Sequence, residues 1–135
     1  MPKFTIPGKP FGKQRPKFTT RGKFAKAYTP KETIAAEAVV AREARKHFKE
    51  PLSGPVEIWV VAKFVPPKSW PKYRKAECLG TYHTQKPDWD NIGKLISDAL
   101  NGIAYQDDAQ VCFAVVQKVW AEVAETVVSV KPTTV

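Results

Sequence analysis

The apolar positions of the chain predict a short alternation of strands and helices. Val56–Val65 is a run of β-branched and aromatic residues, which predicts a strand at the centre of a sheet. Weaker strand patterns cover Lys3–Ile6, Val111–Trp120 and Glu125–Val130, and we expect the last two to be adjacent. Glycine, proline and lysine between short apolar pieces indicate a basic loop or short hairpin over Gly12–Tyr28.

Two main helices are predicted between these strands. Thr29 precedes a proline and is followed three residues later by Glu32, which is typical of a helix start, and the helix should continue through Thr33–Lys49. Asn91–Asn101 has apolar residues at the i, i+3, i+4 and i+7 spacing of one helix face, with Gly102 as a C-terminal cap. Both helices therefore present one apolar face to a sheet.

The predicted fold class is α/β (α+β), with a small mixed sheet covered by two main helices. Lys68–Glu77 could add a short basic helix. Hydrophobic residues make up 43% of the 135 residues, which is enough for a real core, and no repeat or long linker divides the chain. We therefore predict one domain over residues 1–135, with residues 1–31 as a basic segment within it.

The positive charge is concentrated at the N-terminus. Of the net charge of +9, all belongs to residues 1–31, which hold nine basic and no acidic residues, whereas the remainder holds thirteen of each. Such a field favours a polyanion, either nucleic acid or an anionic membrane surface. A solubilising arm without a fixed partner is the alternative. A membrane surface ranks last, because no helix combines a basic face with a large aromatic and apolar face.

The remaining composition indicates a cytoplasmic protein. No stretch approaches the roughly 20 apolar residues that span a bilayer, and the first residues have no apolar run typical of a signal peptide. Cys78 and Cys112 lack the spacing of a zinc site, so we expect reduced thiols.

Five of the thirteen acids lie between Lys86 and Val111, and these are Asp88, Asp90, Asp98, Asp107 and Asp108. In an extended segment Asp88 and Asp90 would point to one side, with Trp89 directed away into the core. Asp90 is also suited to cap the following helix, on which Lys94 and Asp98 share one face. Asp107 and Asp108 can return beside the helix start if the next strand pairs near it.

Carboxylates clustered in a basic protein suit a nuclease. Mg²⁺ prefers oxygen ligands and keeps several waters, so two or three carboxylates plus a substrate phosphate can hold it. A nearby lysine stabilises charge on the phosphate. The alternative is that these acids only cap helices and brace turns, where aspartate is common. Spacing alone does not decide between the two.

The segment KPDWDNIGKLISDALNG, followed by DDAQV, closely resembles the signature of the RusA family of Holliday junction resolvases. That signature is D-x-D-N, a lysine, D-A-L and D-D-x-Q, and its last position is Gln110 here. The resemblance is dense over about 26 residues and extends more weakly to GKQRPKF at Gly12–Phe18. It implies a homodimer that nicks four-way junctions symmetrically with Mg²⁺ or Mn²⁺, leaving 5′-phosphate ends.

The resemblance also implies roles for individual residues. It makes Asp88, Asp90 and Asp108 the metal-binding catalytic acids and Lys94 a catalytic lysine. Whether Asp107 or Asp98 contributes to the site stays open, and Asp98 is expected to orient Lys94 or to cap local structure. The expected DNA contacts are Lys13, Arg15, Lys17, Arg21 and Lys23.

Three further points stay open at the level of sequence. The phenylalanines of the basic segment, Phe11, Phe18 and Phe24, could stack on exposed bases, or anchor the loop to its own core or to the other subunit. His83 is expected to be a packing or surface residue rather than a metal ligand. Besides the resolvase, we consider a non-catalytic nucleic-acid-binding module and a Mg²⁺ phosphohydrolase of small nucleotides, against which the basic segment argues.

Overall fold

The computed structural model describes residues 3–19 and 26–134. Its regular elements, in chain order, are β1 (Lys3–Pro7), β2 (Lys17–Thr19), β3 (Lys26–Tyr28), α1 (Lys31–Arg45), β4 (Val56–Phe64), α2 (Lys72–Cys78), α3 (Trp89–Ala99), β5 (Val111–Trp120) and β6 (Glu125–Pro132). A short 3-10 turn at Asp108–Gln110 leads directly into β5. The predicted α+β class is confirmed.

Four strands form one mixed sheet in the order β1-β6-β4-β5. Strand β4 is central as predicted; it pairs parallel with β5 and antiparallel with β6. The prediction that β5 and β6 are adjacent was wrong. Strand β4, the most buried of the strands, lies between them, and its hydrogen bonds to β5 and β6 satisfy the backbone groups along both of its edges. The connection between β5 and β6 crosses the end of β4, where the Ala121 amide donates to the Phe64 carbonyl at 2.8 Å.

The core lies between one face of this sheet and the two main helices. Alternate residues of β4 are buried, as the period of a strand requires, and helix α3 buries Ile92, Leu95, Ile96 and Ala99 against them. Helix α1 packs on α3 and β1. On the opposite face of the sheet, the ring centroids of Trp59 and Phe113 lie 5.7 Å apart, and the two side chains are 40% and 51% exposed.

Both main helices begin at positions other than those predicted. Helix α1 begins at Lys31, after Pro30 rather than at a Thr29 cap, and no side chain caps it. Helix α3 begins at Trp89, so Asp88 occupies the N-cap position and Asp90 lies in the first turn. The expected extended alternation of the two acids is therefore absent, because the amide of Ile92 already donates to the carbonyl of Asp88.

Within the basic N-terminal region, β2 pairs antiparallel with β3, as in the short hairpin that was one of the two expected arrangements. Just before helix α2, Trp70 packs on Trp120 at the end of β5, with 5.0 Å between the ring centroids. Cys78 and Cys112 are both free thiols, as expected. Over residues 3–19 and 26–134, no helix has the length and apolar character needed to cross a membrane.

Candidate active site

The first turn of helix α3 carries the acids of the D-x-D-N motif. Asp88 has extended backbone angles (φ −71°, ψ 149°), and its carboxylate pairs with Lys86 at 2.9 Å. Asp90 is exposed one residue into the helix. Both acids therefore lie at the N-terminal end of α3, where the helix dipole attracts negative charge.

Trp89 lies at the surface and not in the core. The expectation that it would point inward was wrong, because 64% of its surface is exposed and it lines a cavity together with Asp90 and Lys94. The reason is the helix start: once residue 89 is helical, the side chains of Ile92 and Ile96 take the inward face. An exposed tryptophan thus lies beside the acids.

Asp98 links two lysines from distant parts of the chain. Its Oδ1 lies 3.4 Å from the Nζ of Lys94, one turn earlier on α3, and its Oδ2 lies 2.7 Å from the Nζ of Lys13. Lys13 also pairs with Glu37 of α1 at 3.1 Å. The predicted pairing of Asp98 with Lys94 is present, whereas nothing in the spacing indicated Lys13, which is 85 residues away along the chain.

The Asp107–Gln110 turn places Asp108 opposite α3. Asp107 caps the 3-10 turn by accepting from the Ala109 amide at 3.0 Å. The side-chain oxygen of Gln110 accepts from the amides of Gln106 and Asp107 at 2.9 and 3.1 Å. Its side-chain nitrogen donates to the carbonyls of Leu52 and Gly54 at 3.0 and 2.9 Å. Gln110 therefore fixes the turn to the segment that leads into β4.

Helix α3, the Asp107–Gln110 turn and strands β4 and β5 line a cavity of about 400 Å³ that opens to solvent. Asp90 and Lys94 line it from the helix, Asp108 lines it from the turn, and apolar residues of β4 and β5 form its floor. Asp88 is not among its lining residues. The fold therefore gathers three of the four predicted catalytic residues, which come from two separate segments.

The charges around this cavity are coupled. Burial raises the pKa of Asp108, and the adjacent negative carboxylates of Asp98 and Asp107 raise it further. Burial alone would also raise the pKa of Asp98, but the hydrogen bonds from Lys13 and Asp108 and the positive charges of Lys13 and Lys94 outweigh it and lower this pKa. Asp98 is thus held ionised, while negative charge is in excess at Asp108.

The donor set suits a hard divalent cation, although the ligand set is incomplete without substrate. Within the described ranges 3–19 and 26–134, no three carboxylate, imidazole or thiol groups converge into a metal-binding cluster. The cavity nevertheless offers the carboxylate oxygens of Asp90 and Asp108, and the raised pKa of Asp108 marks negative charge that a cation would neutralise. Mg²⁺ commonly takes one or two carboxylates and completes its shell with water and phosphate.

The N-terminal basic residues take different positions. Arg15 and Lys17 are exposed, and Phe18 is 72% exposed beside them. Phe11 packs against the core, so it anchors the loop. The predicted contacts Arg21 and Lys23, and also Phe24, lie outside the described residues.

The fold and the cavity define a small α+β domain in which carboxylates and a lysine meet beside a basic N-terminal segment. The family model described as Endodeoxyribonuclease RusA matches residues 7–131, so the chain belongs to the RusA endodeoxyribonuclease family. The chain is also 35% identical over 125 residues to an uncharacterized protein, YqaN, of Bacillus subtilis (strain 168), across 89% of this chain and 88% of that one. The predicted family is confirmed across nearly the whole chain.

Proposed function

We propose that this chain is a Mg²⁺- or Mn²⁺-dependent endodeoxyribonuclease that resolves four-way DNA junctions during recombination and repair. The observation that carries the proposal is the shared cavity of Asp90, Lys94 and Asp108. Aspartates that only cap helices and turns need not face a common cavity with a lysine. Membership of an endodeoxyribonuclease family supports the same reaction class.

We assign the proposed roles as follows. Asp88, Asp90 and Asp108 would hold the metal, with Asp88 exchanging its exposed partner Lys86 for it. When bound, the metal supplies an activated water and neutralises charge on the phosphate. Lys94, with a 62% exposed side chain, reaches toward the cavity and stabilises the negative charge of the phosphate at the cleaved bond.

The proposed substrate is branched DNA, bound as a polyanion along the basic N-terminal segment. Arg15 and Lys17 are exposed and are proposed phosphate contacts, together with Arg21 and Lys23. A small nucleotide would not need a positive surface of this extent. The proposed compartment is the cytoplasm.

A homodimer completes the proposal. A four-way junction has strands of the same polarity related by a two-fold axis, and two identical sites in a C2 dimer can address two of them. Such a dimer leaves two symmetric nicks with 5′-phosphate and 3′-hydroxyl ends. Paired nicks within one binding event are the expected product pattern.

A non-catalytic DNA-binding module is the second candidate. It is favoured by the pairing of Asp88 with Lys86 and by the absence, in the described part of the chain, of a complete three-ligand cluster. This module would bind junctions through the same basic segment. It would not cleave them under any divalent metal.

The deciding experiment incubates a labelled synthetic four-way junction with the protein in Mg²⁺, Mn²⁺ or EDTA, beside a linear duplex. We expect paired, metal-dependent nicks on the junction that disappear in Asp90→Asn. Glu122→Gln removes an exposed acid outside the cavity and is the matched control, which should cleave normally. Junction binding without cleavage in both metals would reject the nuclease and leave the binding module.

A further inference from the structure

We propose that Gly12 and Lys13 form a positioning element of the active site, which orients Asp98 and through it Lys94, and that Lys13 is not a DNA contact. This inference rests on the proposed nuclease function. It replaces the expectation that all basic residues of the GKQRPKF segment meet phosphate. Three sets of contacts carry it.

The first set joins the backbone of Gly12 and Lys13 to the start of helix α3. The amide of Lys13 donates to the carbonyl of Asn91 at 2.9 Å, so the loop is attached to the first turn of α3 directly after Asp90. A Cβ atom at Gly12 would lie 2.7 Å from the Cβ of Pro87 and 3.3 Å from that of Asn91. Only glycine lets the loop approach the segment that carries Asp88 and Asp90 this closely.

The second set is the ionic bridge of Lys13. Its ammonium group lies 2.7 Å from Asp98 and 3.1 Å from Glu37, and only 25% of its side chain is exposed. Both carboxylates are themselves mostly covered, at 15% and 28% exposure. A phosphate that approached Lys13 would therefore meet two carboxylates first, and Lys13 is poorly placed to bind DNA.

The third set is the division of Asp98 between two lysines. The shorter contact goes to Lys13 at 2.7 Å, and the longer one to Lys94 at 3.4 Å. Because Lys13 satisfies most of the charge of Asp98, Lys94 is held loosely and its ammonium group stays available to the cavity. Without Lys13, the covered carboxylate would have Lys94 as its remaining cation and would draw it away from the substrate phosphate.

The kinetic test compares three lysine variants on the four-way junction. Lys13→Met should lower the single-turnover rate at saturating junction about 10- to 100-fold, as loss of an outer-shell partner does, with junction affinity in EDTA unchanged. Lys49→Met, an exposed lysine away from the site, should keep the wild-type rate. Lys13→Arg should recover most of the rate, since it restores the charge.

The salt dependence of junction binding separates positioning from DNA contact. Removing one phosphate contact lowers the slope of log affinity against log salt by about 0.9. We expect that change for Lys17→Met, which removes an exposed lysine, and no change for Lys13→Met. A slope for Lys13→Met that falls as in Lys17→Met would overturn the inference.

A readout that needs no cleavage follows Lys94 itself. Acetylation of individual lysines, measured by mass spectrometry, should slow at Lys94 in Lys13→Met and return to the wild-type rate in Lys13→Met/Asp98→Asn. Lys86 serves as the internal reference. If the wild-type protein fails to cleave, the proposed function fails, while this experiment still decides the inference: unchanged reactivity of Lys94 in Lys13→Met would reject it.

Discussion

Replacement of Gln110 by glutamate tests how the Asp107–Gln110 turn is held. The wild-type amide makes four hydrogen bonds, two through its oxygen to backbone amides and two through its nitrogen to the carbonyls of Leu52 and Gly54. Gln110→Glu keeps the shape and the two accepted bonds. It removes both donated bonds and places a carboxylate oxygen about 3 Å from two carbonyl oxygens.

The expected destabilisation follows from that count. Each lost hydrogen bond contributes about 0.5–1.5 kcal/mol, and unpaired acceptors add to the loss. One of the two bonds is partly buried and the other is exposed, so we expect a loss of about 2 kcal/mol in the free energy of unfolding. At this chain length such a loss lowers Tm by about 6–12 °C.

Urea and thermal unfolding at pH 7 measure this difference. Gln106→Glu, which introduces the same charge on an exposed neighbouring side chain, is the matched control and should change Tm little. The introduced carboxyl in Gln110→Glu should have a folded pKa raised above its unfolded value of about 4.3. The variant should therefore approach wild-type stability below that pH and lose stability as pH rises through the raised folded value.

Two outcomes would refute this reasoning. Equal Tm values for Gln110→Glu and wild type at pH 7 would mean that the donated bonds do not hold the turn. An equal loss in Gln106→Glu would mean that added negative charge near Asp107 and Asp108, and not the lost bonds, causes the effect.

Two further predictions concern Trp89 and His83. Trp89→Ala should weaken junction binding in EDTA by about 1–3 kcal/mol, the range for loss of base stacking. Tm should stay near the wild-type value, because the side chain is 64% exposed. Unchanged junction affinity would exclude a stacking role for Trp89. His83 stacks on Phe64, and its Nδ1 has no hydrogen-bond partner among the residues that the structure describes. Burial, with the nearby Lys118 charge, lowers the pKa of His83. The unfolded state therefore binds the proton more readily, so the free energy of unfolding should fall as pH drops below about 6.5. Urea unfolding at a series of pH values should show that His83→Phe removes this pH dependence. The same pH dependence in both proteins would contradict its assignment to His83.

His83 also shows how far a local pattern can be read. Its packing role was expected over metal binding, and the structure places it between Phe64 and Trp120, at ring-centroid distances of 3.8 and 4.5 Å. Those two partners lie at the ends of β4 and β5. The sequence left a packing role and a surface role both open for His83, and the pairing of β4 with β5 brings its two aromatic neighbours together.

Sequence patterns alone predicted the helices and strands, the central place of β4, the basic N-terminal segment and the acids that could form a site. These features depend on periodicity, charge and short motifs, which act over a few residues. The family was also readable from one dense segment, and the match over residues 7–131 confirms it.

Three features could be seen only in the folded chain. They are the order of β5 and β6, the outward position of Trp89 and the partners of Lys13. Strand order depends on which edges of β4 pair, and no local pattern specifies that choice. Trp89 faces outward because the helix begins one residue after Asp88 and commits its inward face to Ile92 and Ile96. Lys13 meets Asp98 because folding brings the N-terminal loop onto α3, so a lysine that reads as a DNA contact in the sequence lies between two carboxylates in the structure.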